Sequence, residues 1–209
     1  MRVIPAINAT DFETVKKQIL QVADFSFWIH LDVVDGKFAP NVLWGKADDI
    51  KKIKSLAVNF EAHLMVERPE LAIEAWLENG IKRIVIHAEA VNDRLFILNM
   101  CQKFNAEAGL AIRPDTQIEK ITPFLKDFKF VQILAVNPGF AGQKFDEKVL
   151  EKVKFLRTHY KDVIIEVDGG INPETAKLVK KAGADIVVSA SYIFSSKDPK
   201  KAYEELQKI

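Results

Sequence analysis

Residues 162–190 read DVIIEVDGGINPETAKLVKKAGADIVVSA. The run 162–168 is apolar and of strand length. Asn172 then offers an N-cap, Pro173 takes the first helical position where a missing N–H costs nothing, and Gly183 supplies a left-handed stop. This punctuation predicts a helix over about 173–182, followed at once by a second apolar run at 185–190. Strand, helix, strand in such a short span is the unit from which parallel sheets are built.

The same alternation recurs toward the N-terminus. Apolar runs rich in Val and Ile lie near 2–7, 26–33, 57–65, 81–88, 107–112 and 130–136, which makes eight predicted strands in all. Their apolar character suits strands covered on both faces. Between them, Pro69 and Gly80 bracket a helix whose Leu71, Ala72, Ala75 and Trp76 form a stripe, and Val149, Leu150, Val153 and Leu156 recur at helical spacing within 146–159. Eight such units predict an α/β protein, a single (β/α)8 TIM barrel with residues 1–209 as one domain. The rival is a doubly wound open sheet. No Gly-x-Gly-x-x-Gly follows the first strand, which disfavours the dinucleotide-binding version of that rival.

Composition narrows the function. The 209 residues are 48% apolar and 28% charged, and 30 Lys plus Arg against 29 Asp plus Glu leave a net +1, too little field to argue for nucleic acid or an anionic membrane. One cysteine, Cys101, excludes an internal disulfide framework and a multi-cysteine zinc knuckle, so any metal must be held mainly by His and carboxylate. No apolar run approaches the ~20 residues of a membrane helix, and MRVIPAINATDF turns polar too early for a signal peptide. The expectation is a soluble cytoplasmic protein.

In a barrel the C-terminal strand ends line the active site. The second strand ends in His30-Leu31-Asp32, the third carries His63 near its end, and the seventh ends in Asp168-Gly169-Gly170. His30 and Asp32 are two residues apart and share a face, so two His and two Asp are expected to converge. Such a set suits one divalent cation: zinc, manganese, iron or cobalt. The competing reading makes the two Asp caps of the following turns and the two His satisfied structural residues. Four such groups at strand ends favour the metal, because clustered carboxylates are costly without a neutralising cation or proton.

A second polar set suits phosphate. Gly169 and Gly170 follow strand seven, and Ser189-Ala190-Ser191 closes strand eight before a short segment, Tyr192 to Phe194. Loops after strands seven and eight form the recurring phosphate site of these barrels. The loop Asn137–Phe145, with two Gly, is long enough to close over a ligand.

HLDVVDGKFAPNVLWG (30–45), EAHLMV (61–66), IHAEA (86–90), AGLAI (108–112), VNPGFAGQKF (136–145), VDGGI (167–171) and AGADIVVSASYIF (182–194) resemble, in order and spacing, the motifs of ribulose-phosphate 3-epimerases. The resemblance implies a (β/α)8 barrel that interconverts D-ribulose 5-phosphate and D-xylulose 5-phosphate by inverting carbon 3 through an enediolate. It implies His30, Asp32, His63 and Asp168 as ligands of a catalytic divalent metal, commonly zinc, and Asp32 and Asp168 as the two acid/base carboxylates. It further implies a phosphate grip at Gly142, Gly169, Gly170, Ala190 and Ser191, with Met65 lining the site. Family members often form homo-oligomers. Against the usual pattern, Ala6 replaces Ser, Val34 replaces Met, Asn137 replaces Glu, and Ala141 and Ala190 replace Gly, which bears on pentose versus hexose phosphate.

Other residues are assigned plainer roles: His87 and Glu89 to hydrogen bonding at the barrel end, Cys101 to a buried helix face, and Arg113 either to a phosphate or to solvent. Three alternatives remain beside the pentose-phosphate reading. One is a 3-epimerase of a six-carbon ketose phosphate such as allulose 6-phosphate. Another is a related decarboxylase or aldol enzyme, disfavoured because Asp32-Val33-Val34 lacks the expected Asp-x-Lys. The last is a non-catalytic phosphosugar-binding barrel.

Overall fold

A computed structural model describes residues 1–53 and 56–209. Eight parallel strands close into a barrel in sequence order: β1 (Arg2–Ile7), β2 (Trp28–Val34), β3 (Asn59–Met65), β4 (Arg83–His87), β5 (Glu107–Ile112), β6 (Phe130–Leu134), β7 (Ile164–Asp168) and β8 (Ile186–Ser189). The ring closes where β1 pairs with β8, Val3 beside Val187 and Ile4 beside Val188. The open-sheet rival is excluded.

Helices α1 (Phe12–Val22), α2 (Pro69–Glu78), α3 (Arg94–Lys103), α4 (Val149–His159), α5 (Pro173–Ala182), α6 (Ser191–Phe194) and α7 (Pro199–Gln207) cover the barrel. The α5 bounds match the sequence reading because its punctuation acts as expected. Asn172 Oδ1 accepts from the N–H groups of Glu174 and Thr175, Thr175 Oγ1 accepts from Asn172 N–H, and Gly183 ends the helix at φ +107°. After β2 and β5 the cover is 3₁₀ helix, at Ala47–Ile53 and at Ile118–Lys120 with Thr122–Phe124, so strict strand-then-α-helix alternation gives way there. Pro123 within the latter segment removes a donor that a continuous α-helix would need.

Two faces of each strand do different work. Outward residues such as Val3, Ile29, Leu31 and Ile165 pack with Val15, Ile73, Val153 and Val179 of the helices into one large apolar shell. Each such side chain contributes roughly 1.5–3 kcal/mol by leaving water, so this shell carries the fold. The inward face is partly apolar, with Ile4, Ala6, Val85, Ala111, Phe130, Ile186 and Val188 in one cluster. The same interior also buries His30, Glu61, Arg83, Gln132 and Glu166. Among the described residues no helix is long and apolar enough to cross a membrane.

Candidate active site and metal centre

The C-terminal strand ends open onto a cleft of about 460 Å³, counted out to its mouth. Asp32, Met65, Gly142, Asp168, Gly169, Gly170, Ala190 and Ser191 all line it, while His30 and His63 are fully buried behind Asp32 and Asp168, which they contact. The residues singled out as acid/base groups and phosphate contacts therefore border one cleft, and the two histidine ligands sit against its carboxylates. Ala6 and Val34 do not line the cleft, whereas Asn137 and Ala141 do.

Strand register brings the polar groups together. Asp32 on β2 pairs with His63 on β3, and one pleat lower His30 pairs with Glu61. Asp32 Oδ1 lies 3.2 Å from His30 Nε2 and 3.1 Å from His63 Nδ1, while Asn8 Nδ2 donates to Asp32 Oδ2 at 3.0 Å. Asp168 Oδ2 accepts from Gln132 Nε2 at 2.9 Å and sits 3.6 Å from His63 Nδ1 and 3.9 Å from His30 Nε2. One donor atom from each of His30, Asp32, His63 and Asp168 falls within 4.8 Å of the others.

The surroundings shift the two carboxylates in opposite directions. Burial alone would raise Asp32, but hydrogen bonds from His30 and His63 outweigh it and hold this carboxyl far below the usual range. Asp168 is pushed up to about 7 by burial and by the neighbouring charge of Asp32. Burial would lower His30, yet its bonds to Asp32 and Glu61 raise it well above the ordinary imidazole value. The centre thus has a surplus of negative donors which, without a cation, is offset by protons.

Each imidazole is held from behind. His30 Nδ1 lies 2.8 Å from Glu61 Oε1, and Arg83 Nη1 donates to Glu61 Oε2 at 2.5 Å. His63 Nε2 lies 2.9 Å from His87 Nε2, and His87 Nδ1 is 3.1 Å from Glu89 Oε2. Glu89 also accepts from Thr116 Oγ1 and, at 2.9 Å, from the N–H of Arg113. His87 and Glu89 do hydrogen-bond at the barrel end, as their plain reading has it, and the partner they reach is a candidate metal ligand. Arg113 takes neither expected course. Its Nη2 donates to the Phe38 carbonyl at 2.8 Å and its guanidinium lies 4.1 Å from the Phe38 ring, clamping the segment after β2 to the rim. Cys101 is buried, and burial pushes its thiol up to about 12, in keeping with an inert core residue.

The glycine pair after β7 is needed for its backbone. Gly169 has φ +103° and a Cβ there would meet Val136 at 2.5 Å; Gly170 has φ +66° and a Cβ would meet the Phe145 backbone at 2.8 Å. Main chain thereby comes close to the cleft directly after Asp168. The loop over the cleft is stapled by Gln143, whose Nε2 donates to the carbonyls of Asn137 and Phe140. Sequence reasoning missed Asn8, which ends β1 by the same strand-end logic, and Gln132, Glu61 and Glu166, whose signal was a polar residue inside an apolar run.

A closed parallel barrel with two His and two carboxylates at the C-terminal strand ends is the framework of a (β/α)8 enzyme. The profile of the ribulose-phosphate 3 epimerase family matches residues 2–194, and the chain belongs to that family, whose named members are epimerases. It is 35% identical to the ribulose-phosphate 3-epimerase of Bacillus subtilis (strain 168), over 99% of this chain and 98% of that protein. With the ribulose-phosphate 3-epimerase of Helicobacter pylori (strain J99 / ATCC 700824) it shares 37% identity, over 100% and 98%. Among solved structures, 3-hexulose-6-phosphate synthase from Salmonella typhimurium superposes with a TM-score of 0.77 at 15% identity, over 100% of this chain and 97% of that one, a likeness of fold.

Proposed function

We propose that the chain inverts carbon 3 of a ketose phosphate, D-ribulose 5-phosphate to D-xylulose 5-phosphate and back. The observation that carries this reading is the pair Asp32 and Asp168, two carboxylates from different strands that line one cleft. Inversion needs one group to take a proton from one face of the carbon and another to deliver a proton to the opposite face. Asp32, ionised by its two imidazole neighbours, suits the base; Asp168, held up to about 7, suits the acid. The roles exchange in the reverse direction.

The donor set fits a divalent cation. His30 Nε2, His63 Nδ1, Asp32 and Asp168 would hold it, and their mixed nitrogen and oxygen chemistry suits zinc, with iron, manganese or cobalt as alternatives. When bound, such an ion supplies Lewis-acid stabilisation to the enediolate that proton removal beside a ketone produces. The chain's own part is to hold the two carboxylates beside the reacting carbon and to close the Asn137–Phe145 loop against water. Among the described residues no Lys or Arg lines the cleft, so the phosphate dianion is held by main chain at Gly142, Gly169, Gly170 and Ala190 and by main chain and hydroxyl at Ser191.

The test is conversion of ribulose 5-phosphate in heavy water, with a metal assay on the same preparation. Xylulose 5-phosphate carrying solvent deuterium at carbon 3 is expected, because the proton removed on one face is not the proton delivered on the other. Equilibrated product without that label would overturn the two-carboxylate mechanism. Turnover of allulose 6-phosphate in preference would move the substrate to six carbons.

A further inference from the structure

Below the cleft, the barrel floor contains an ion pair unrelated to substrate. Arg83 is 2% exposed, with its guanidinium stacked between the rings of Trp28 at 4.3 Å and Phe130 at 4.0 Å. Its Nε donates to Glu107 at 2.7 Å and its Nη1 to Glu61 Oε2 at 2.5 Å. Glu61 is fully buried and spends its other oxygen on His30 Nδ1 at 2.8 Å. The four residues are successive register neighbours across β2 to β5: His30 beside Glu61, Glu61 beside Arg83, Arg83 beside Glu107.

We propose that Glu61, clamped by Arg83, is the positioning residue for His30. It orients the imidazole so that Nδ1 keeps its proton and Nε2 is presented to Asp32 and Asp168. The proposal rests on the reading of His30, Asp32, His63 and Asp168 as a cation site and adds the residues that aim one of its ligands.

Stability does not account for the arrangement. A buried ion pair gains little over well-packed apolar side chains of the same volume, because desolvation offsets the Coulombic attraction. Geometry does account for it. Arg83 donates through two nitrogens, one to Glu107 and one to Glu61, and this fork fixes the Glu61 carboxylate, which leaves Oε1 one direction to face. That direction is His30 Nδ1. A ligand imidazole whose far nitrogen donates to a carboxylate is fixed in tautomer and made a stronger base, and loss of such a partner costs about 10–100-fold in metal affinity. His63 is held differently, through His87, so the two imidazoles do not share a support.

Glu61→Gln tests this without changing volume. A glutamine cannot accept from both Arg83 and His30, so one of the two contacts becomes donor against donor. Titration of the metal-free protein with cobalt(II), against a competing chelator, should show affinity lowered about 10–100-fold. Nitrogen-15 NMR of the metal-free protein supplies a readout that needs no metal. Wild type should show a low-field, slowly exchanging His30 Nδ1–H signal, and the variant should lose or shift it. Should Glu61→Gln fail to fold, the double variant Glu61→Leu with Arg83→Met replaces the pair by apolar groups, removes the acceptor behind His30, and should show the same two losses. Wild-type cobalt affinity, or an unmoved His30 signal, in a folded variant would overturn the proposal and leave Arg83 as a floor plug. Wild-type protein that binds no cobalt would overturn the cation site instead, with the His30 signal still deciding the role of Glu61.

Discussion

Replacing Asp168 by asparagine separates what this residue does for the reaction from what it costs the fold. The amide is nearly isosteric, and its oxygen can still accept from Gln132 Nε2, so the β7 end should keep its shape. What changes is charge. Burial and the adjacent Asp32 move Asp168 from 3.8 to about 7, roughly three pH units at 1.36 kcal/mol each, so the ionised form destabilises the metal-free fold by up to about 4 kcal/mol. Asp168 remains in contact with some solvent and the two carboxylates titrate together, so the working figure is about 2–4 kcal/mol. A folded-state value raised above the unfolded one means that the group's contribution is favourable at low pH and is lost as pH climbs from about 4 through about 7. The neutral amide of Asp168→Asn suffers no such loss. With chelator present, urea unfolding should therefore find the variant more stable than wild type by about 2–4 kcal/mol at pH 8, shrinking below about 1 kcal/mol near pH 4. Turnover should fall on the order of 10²–10⁴-fold, the usual worth of an acid/base group. A variant no more stable than wild type at pH 8 would refute the electrostatic reasoning, and one keeping more than roughly a tenth of wild-type turnover would remove Asp168 from the acid/base role.

His30→Ala and His63→Ala should each purify with little bound divalent metal by elemental analysis while circular dichroism stays that of a folded barrel; full occupancy in both would make the histidines structural. Glu89→Gln should destabilise by about 1–2 kcal/mol at pH 7, discounted for partial exposure, because bonds to His87 and Thr116 outweigh burial and hold Glu89 at about 2. That contribution is present above about pH 4.5 and lost as pH falls through about 2, so the gap between the urea midpoints of variant and wild type should narrow as pH drops below about 4.5.

The fold was most legible where punctuation and apolar period agree. Asn172, Pro173 and Gly183 fix α5, and with it the ends of β7 and β8, because a cap, a missing donor and a left-handed residue each act within a few residues of the chain. The stretch after β2 was less legible. Asp48, Asp49, Lys51 and Lys52 form exposed i,i+3 pairs on a 3₁₀ turn, and only Ala47, Ile50 and Ile53 face the core, too short a stripe to announce itself. In the site, the strand-end rule found Asp32, His63 and Asp168 because each is a polar residue within the C-terminal part of its strand, next to where the cleft opens, and His30 because it shares a face with Asp32. It could not find Glu61, Arg83, Gln132 or Glu166. Glu61 and Arg83 lie level with His30, and Gln132 and Glu166 one pleat below Asp168, where a parallel strand is expected to be apolar on both faces, and their partners come from neighbouring strands whose register no single-strand pattern contains.

That lower layer bears on how the barrel tolerates its chemistry. Four carboxylates, Asp32, Glu61, Glu166 and Asp168, lie inside one ring of strands. They divide by height. Glu61 is neutralised by Arg83, while neither oxygen of Glu166 has a hydrogen-bonding partner, and burial and Glu61 raise its carboxyl well above the usual range. Among the described residues no arginine or lysine reaches Asp32 and Asp168, which meet imidazoles and amides. The lower charges are therefore settled within the fold and the upper ones are not. A divalent cation would complete the upper pair, and the apolar shell outside the barrel packs the eight strands independently of it.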